Sequence, residues 1–459
     1  MSLIKSISGI RGTIGGVPGE NLTPLDVVRF TAAYGSIVKR KNKRPVVVIG
    51  RDGRISGPMV HALVTHTLTG LGIDVIDLGL STTPTVEFAV MQEKASGGII
   101  LTASHNPRQW NALKLLNEKG EFLSAEDGQA VLDLAEKETF EFAAVDALGQ
   151  VRADDSYLKK HIDAILHYSL VDVAAIREAG FKVVVDAINS SGAIYVPALL
   201  RALGIRDFIV LNDAVTGDFA HNPEPLPEHL TDLSRSVVSN QADLGIAVDP
   251  DVDRLCFVNE DGSLFGEEYT LVAVADHILS NRPGHTVSNM SSTAALKVLT
   301  RQYGGVYHAS AVGEVNVVTK MKAVDAVIGG EGNGGVIVPD FHYGRDALIG
   351  IALFLTLLAK RKTSMTALRA TYPDFHISKN KIDLRPGLNL RSILDKLQVK
   401  YADHPMLTED GLRIEFGDDW VHLRGSNTEP IIRIYAESRT AANAQQLAQR
   451  LMADIEALA

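Results

Sequence analysis

The chain has 459 residues, enough for about three domains of ~150 residues each with room for a small fourth, and its 46% hydrophobic and 22% charged residues exclude wholesale disorder. Forty-five Lys and Arg against 55 Asp and Glu give a net charge of −10. That excludes a general nucleic-acid binder, because a phosphate backbone needs a basic footprint, and leaves room only for a local basic pocket around a small phosphorylated molecule. The single cysteine, Cys256, excludes an intrachain disulfide and a CxxC zinc site, and fits a reducing cytoplasm.

The opening MSLIKSISGIRG has no apolar core of signal-peptide length. Residues 45–50 form a near-continuous apolar run, as expected of a strand covered on both faces. A helical spacing over 58–70 and further strands at 74–78 and 97–101 continue a β-α-β rhythm, which predicts mostly parallel α/β layers. A polar helical stretch spans 153–180, and the rhythm restarts at 182–186 and again after Arg254. The longest apolar stretch, 348–359, is too short for a bilayer and ends in Lys360-Arg361-Lys362, so it reads as a buried helix and no membrane partner is expected. The last 85 residues differ. Strands at 376–384, 412–416, 420–423 and 431–436, a hairpin turn at Asp418-Asp419 and an amphipathic helix over 441–459 predict a small α+β domain. The expected domains are 1–152, 153–254, 255–372 and 373–459.

Three strands each run into a loop rich in glycine or polar groups, at 97–107, 242–254 and 325–335. Ligands of open α/β sheets collect outside the carboxyl ends of strands, so the loops either face one cleft or are ordinary connections in separate domains. In Thr102-Ala103-Ser104-His105-Asn106-Pro107, a serine is presented by a strand end and His105 could assist proton movement. The GxSxG elbow of a hydrolase is missing, and Ser with Asn-Pro can also simply make a turn.

In Asp249-Pro250-Asp251-Val252-Asp253-Arg254, three carboxylates at i, i+2 and i+4 would repel one another without a hard cation. Arg254 stands where an EF-hand needs glycine, and three oxygens suit magnesium completed by a phosphate better than calcium. The loop Gly330-Glu331-Gly332-Asn333-Gly334-Gly335 lacks a P-loop lysine; Glu331 and Asn333 suit sugar hydroxyls, or the loop is a flexible turn. Arg424-Gly425-Ser426-Asn427-Thr428-Glu429-Pro430, followed by Arg433, is a donor set for a phosphate monoester. Together these groups fit phosphoryl transfer on a sugar phosphate, which depends on positioning and charge neutralisation.

Four motifs in this order, from Gly9-Ile10-Arg11-Gly12 to Ser438, resemble the α-D-phosphohexomutase family. The resemblance implies an α/β protein: three related α/β domains with mixed sheets plus a C-terminal α+β domain around a central cleft. It implies that Ser104 is carried as phosphoserine and that Mg2+ is held by Asp249, Asp251, Asp253 and the Ser104 phosphate. Lys114 and Arg11 would lie at the transferred phosphoryl, with His105 as the further catalytic candidate. Glu331 and Asn333 occupy the sugar-loop positions. Arg424, Ser426, Asn427, Thr428 and Arg433 would hold the phosphate that is not transferred, and Arg254 is a further substrate-binding candidate.

The implied partners are a hexose or hexosamine phosphate and its bisphosphate, for a cytoplasmic monomer or homodimer. Gln109-Trp110-Asn111, and more loosely residues 311–316, resemble the phosphoglucosamine mutase branch, with a phosphomannomutase/phosphoglucomutase as the alternative and a non-catalytic sugar-phosphate binder as the remote one. Asn333-Gly334-Gly335 departs from the Ser-Gly-His that many members carry there. Glu314 is either a carboxylate beside C2 of the sugar, favouring an ammonium, or the cap of a helix starting near Val315.

Overall fold

The structure is a computed structural model that describes residues 2–6, 9–383, 389–425 and 431–458. Its first sheet has seven strands in the order Ile4–Ser6, Gly9–Thr13, Trp110–Leu116, Gly97–Leu101, Val46–Arg51, Asp74–Leu80 and Val151–Ala153. Val46–Arg51 runs parallel to both of its neighbours. Its side chains alternate between two cores: Val47 and Ile49 pack on one face, Val48 on the other. That two-sided burial is why the segment is apolar at nearly every position.

The second sheet runs Leu255–Asn259, Leu244–Val248, Lys182–Asp186, Asp207–Leu211, and the third Tyr307–Ser310, His285–Asn289, Ala326–Glu331, Gly335–Ile337. All three sheets share one device. A central strand with a parallel neighbour turns back into an antiparallel partner: Gly97–Leu101 into Trp110–Leu116, Leu244–Val248 into Leu255–Asn259, Ala326–Glu331 into Gly335–Ile337. The serine, aspartate and glycine-rich loops are the three connections. This corrects the expected boundary after Arg254. Leu255 pairs with Val248, so the strand after the aspartate loop closes the second sheet rather than opening the third domain.

The polar stretch over 153–180 is two helices, Tyr157–Leu166 and Val173–Ala179. Helix Ala347–Arg361 is buried from Ala347 to Ala359 and shares one core with the second and third domains. Asp346 caps it, its Oδ1 accepting from the N–H groups of Leu348 (2.8 Å) and Ile349 (3.3 Å). Among the described residues no helix is long and apolar enough to cross a membrane.

The C-terminal sheet is antiparallel throughout, in the order His376–Asp383, Ile431–Ser438, Asp419–Gly425, Leu412–Phe416, Met406–Leu407, with helices Leu390–Lys400 and Ala441–Leu458 sharing its core. Its hairpin turn is Gly417-Asp418, one residue earlier than expected. Asp419 already pairs with Phe416, and Gly417 supplies the φ of +76° that the tight turn requires.

Candidate active site

Strand Gly97–Leu101 ends at Thr102, whose hydroxyl donates to Asp52 Oδ2 (2.7 Å) and accepts from the Ser104 N–H (2.9 Å). Ser104 has φ +48°, a left-handed conformation uncommon outside glycine. It is held by a residue the motif reading missed. The buried guanidinium of Arg54 donates from Nη2 to the carbonyls of Ser104 and Asn106, from Nη1 to those of Pro107 (2.9 Å) and Trp110 (3.0 Å), and from Nε to Asp52 Oδ2 (3.0 Å). These contacts use all five guanidinium donors. The signal was Arg51-Asp52-Gly53-Arg54, a charge-dense turn directly after an apolar strand.

The Ser104 hydroxyl donates to Asp249 Oδ2 at 2.7 Å and lies 3.4 Å from His105 Nδ1. Burial, then the charges of Arg254 and Arg11, push the His105 imidazole well below its ordinary pKa, so it faces Ser104 as a neutral ring. Burial and Arg254 lower Arg11 in the same way, so Arg11 and Arg254 form a cationic side next to the neutral His105 ring. Arg254 also donates to Glu224 Oε1 (3.0 Å).

Asp249, Asp251 and Asp253 are fully buried and close enough to hold one metal ion. Lys114 Nζ donates to Asp251 Oδ2 (2.6 Å) and Asp253 Oδ2 (3.2 Å), and the Thr83 hydroxyl donates to Asp251 Oδ2 (2.5 Å). The other oxygens, Asp251 Oδ1 and Asp253 Oδ1, are buried without a hydrogen-bond partner. Two orphaned carboxylate oxygens beside an Asp249 oxygen that meets only the serine hydroxyl form a donor set that fits a hard divalent cation. Burial, then repulsion from Asp251 and Asp253, raises Asp249 well above the carboxylate range. Burial acts on Asp253 in the same direction, but Arg345, Lys114 and Arg254 outweigh it and hold that carboxyl low.

Arg345 joins this triad to the glycine-rich loop. It donates to Asp253 Oδ2 (2.7 Å), Glu314 Oε2 (3.0 Å) and Glu331 Oε2 (2.9 Å). Glu331 Oε1 accepts from Asn289 Nδ2 (2.9 Å) and the Gly313 N–H (3.1 Å). Gly335 clears the path: a Cβ there would lie 2.3 Å from Arg345 Cδ. Asn333 Oδ1 turns inward to the Gly335 N–H (3.2 Å). The capping reading of Glu314 is corrected. It is the first residue of helix Glu314–Val324, and its carboxylate makes no cap bond to that helix but accepts from Arg345.

On the C-terminal sheet Arg424 and Arg433 are cross-strand partners. Two guanidinium groups side by side are a donor set that suits a phosphate. Arg424 Nε faces Asp410 Oδ2 at 3.2 Å, and that oxygen accepts from the Val312 N–H (3.1 Å), next to the Gly313 N–H that holds Glu331. Contiguous contacts therefore run from this sheet to the aspartate triad. Ser426, Asn427 and Thr428 lie outside the described residues.

Family models match along the chain: phosphoglucomutase/phosphomannomutase alpha/beta/alpha domain I over residues 4–142, domain II over 159–262, domain III over 266–375, and the C-terminal domain over 382–454. The chain thus belongs to the phosphoglucomutase/phosphomannomutase family and is a phosphohexomutase-family enzyme. It is 35% identical to a phosphoglucomutase/phosphomannomutase of Thermococcus kodakarensis, over 95% of this chain and 96% of that one. It is 34% identical to a probable phosphoglucosamine mutase of Methanopyrus kandleri, over 96% and 95%. A crystal structure of a phosphoglucomutase/phosphomannomutase family protein from Burkholderia thailandensis superposes with a TM-score of 0.86 at 27% identity, covering 99% of this chain and 97% of that one.

Proposed function

We propose that the chain interconverts hexose 6-phosphate and hexose 1-phosphate through phosphoserine at Ser104 and a bisphosphate intermediate, with glucosamine phosphate as the preferred substrate. The carrying observation is the Ser104 hydroxyl, 2.7 Å from Asp249 in a buried triad that keeps two unpartnered carboxylate oxygens. Asp249, Asp251, Asp253 and the Ser104 phosphate would hold Mg2+, which when bound supplies neutralisation of phosphoryl charge.

In the first half-reaction the bond from Ser104 Oγ to phosphorus breaks and a sugar hydroxyl oxygen takes its place on phosphorus. Ser104 Oγ leaves as an alkoxide beside Lys114 and the cationic side formed by Arg11 and Arg254. The sugar hydroxyl gives up its proton, which neutral His105, 3.4 Å from Ser104 Oγ, would relay to the departing serine oxygen. Arg424 and Arg433 hold the other phosphate of the sugar, with Ser426, Asn427 and Thr428 completing that cradle. After the bisphosphate turns over, Ser104 accepts the second phosphoryl. The reaction would take place in the cytoplasm.

The lean to glucosamine rests on the likeness around Gln109-Trp110-Asn111 and on charge. Arg345 serves both Glu314 and Glu331, and two glutamates on one guanidinium leave an acidic surplus that suits an ammonium. The second reading, a phosphomannomutase/phosphoglucomutase, is favoured by the 35% identity to the Thermococcus protein. The test is a panel of hexose 1- and 6-phosphates with Mg2+ and a trace of bisphosphate, followed by phosphorus NMR. Interconversion with the highest kcat/KM on glucosamine phosphate is expected. Equal or better efficiency on glucose or mannose phosphate moves the assignment to the second reading. Release of inorganic phosphate alone indicates a phosphatase, and binding without conversion a sugar-phosphate binder.

A further inference from the structure

Apart from the aspartate triad, one buried cluster takes no part in the mechanism above. His161 on helix Tyr157–Leu166, His342 in the loop before helix Ala347–Arg361, and Asp346 at that helix's N-cap meet where the first three domains join. His161 Nε2 lies 3.0 Å and His342 Nε2 3.1 Å from the same oxygen, Asp346 Oδ2, and the three donor atoms lie within 4.8 Å of one another. Bonds of zinc to nitrogen and oxygen near 2.0–2.1 Å place tetrahedral ligands about 3.3 Å apart, close to the two separations here.

The outer contacts match those of a built metal centre, in which each ligand is oriented through its far atom. His161 Nδ1 is 2.8 Å from Thr85 Oγ1. Asp346 Oδ1 is fixed by the Leu348 and Ile349 N–H groups. His342 Nδ1 points at Glu87 Oε2, 3.6 Å away. The rings of Phe88 and Phe341 stack on His161 at 5.1 and 5.6 Å between centroids and supply an apolar wall.

An independent observation points to a missing cation. Glu87 is fully buried, and neither of its oxygens has a hydrogen-bond partner, nor has His342 Nδ1. Without a metal, both imidazoles donate Nε2–H to Asp346, and His342 Nδ1 and Glu87, 3.6 Å apart and unbonded, can be satisfied only by one extra proton shared between them. With a divalent metal on the two Nε2 atoms and Asp346 Oδ2, His342 Nδ1 carries the proton and faces Glu87 as a donor. The charges then balance: two from the metal against one each from Asp346 and Glu87.

We propose that His161, His342 and Asp346 bind a zinc-type divalent metal, with Glu87 and Thr85 as outer partners, and that this metal clasps the first three domains together. Three protein ligands leave the fourth position of such a site to water. The clasp is separate from the aspartate triad, whose all-oxygen donors select a harder ion.

The full-length chain carrying Asp251→Asn, which disables the triad, is titrated with Zn2+ by calorimetry and with Co2+ by visible absorption. One equivalent of Zn2+, a rise in Tm, and Co2+ bands of a four-coordinate nitrogen-oxygen site are expected. His342→Gln should abolish these signals. Glu87→Gln, which keeps all three ligands, should weaken Zn2+ binding by about 10- to 100-fold and serves as the readout if His342→Gln does not fold. Absence of Zn2+ and Co2+ binding to the Asp251→Asn chain overturns the proposal, as does unchanged binding in folded His342→Gln. A strongly deshielded proton between His342 and Glu87 in the metal-free NMR spectrum that persists unchanged with Zn2+ also overturns it.

Discussion

Two buried arginines organise the candidate site in opposite ways. Arg54 spends four of its five donors on main-chain carbonyls of the serine loop and one on Asp52. Arg345 spends its side-chain donors on three carboxylates from three segments, Asp253, Glu314 and Glu331. A loop fixed through neutral carbonyls keeps its shape whatever charge arrives beside it. A loop fixed through shared carboxylates is sensitive to any cation or ammonium that competes for them. The first arrangement suits a nucleophile that must present one geometry to two half-reactions, and the second suits recognition.

If that contrast is right, removing Arg54 damages the fold and removing Arg345 damages recognition. Arg54→Ala leaves Asp52 buried and unpaired and four carbonyls without their donor, and a broken buried pair costs about 3–5 kcal/mol. Chemical denaturation should show a loss of that order, together with a loss of phosphoserine. Arg345→Gln removes three charge-assisted bonds but keeps an amide among the carboxylates, and burial already raises Glu314 to about 7 so that it can take up a proton. Tm should therefore fall less than for Arg54→Ala, while kcat/KM falls on the order of a hundred-fold and metal dependence weakens. Equal stability losses in the two variants would dissolve the distinction.

Smaller effects sharpen it. Arg433→Ala should lower kcat/KM by about ten- to a hundred-fold through one lost charge-assisted bond, with little change in Tm. Gly335→Ala should act as a weak Arg345 variant, because its Cβ meets Arg345 Cδ at 2.3 Å and overpacking of this kind costs about 1–3 kcal/mol. Combining it with Arg345→Gln should add little, which a double-mutant cycle would show. Glu314→Gln should have the smallest effect on overall rate and should mainly narrow the preference for glucosamine phosphate over glucose phosphate.

The contrast also shows what a sequence reveals. Strand Lys182–Asp186 and the buried helix over Leu348–Ala359 were legible because burial on all sides writes a continuous apolar run. Ser104 and the three aspartates, which the fold brings together, could be singled out because each motif is local and chemically dense. Arg54 and Arg345 were legible only in part: the charge-dense turn Arg51-Asp52-Gly53-Arg54 and the position of Arg345 as the nearest basic residue after Glu331 mark them as candidates, but their contacts with Ser104 and Asp253 span 50 and 92 positions and are not written locally. The boundary after Arg254 was misplaced for the same reason. Whether Leu255–Asn259 closes one sheet or opens the next depends on a pairing with Leu244–Val248 that hydrophobic pattern alone does not encode. Glu314 was visible as a carboxylate and Arg345 as its nearest basic candidate downstream, but that the one guanidinium also serves Glu331 and Asp253 was not.

The most direct test of the central claim is mass spectrometry of the intact wild-type chain and its peptides, alongside turnover of Ser104→Ala. The account predicts a fraction of wild-type molecules carrying one phosphate, located on Ser104, and a Ser104→Ala enzyme that folds with an unchanged circular dichroism spectrum but does not interconvert hexose phosphates. Near-normal turnover by folded Ser104→Ala would contradict it.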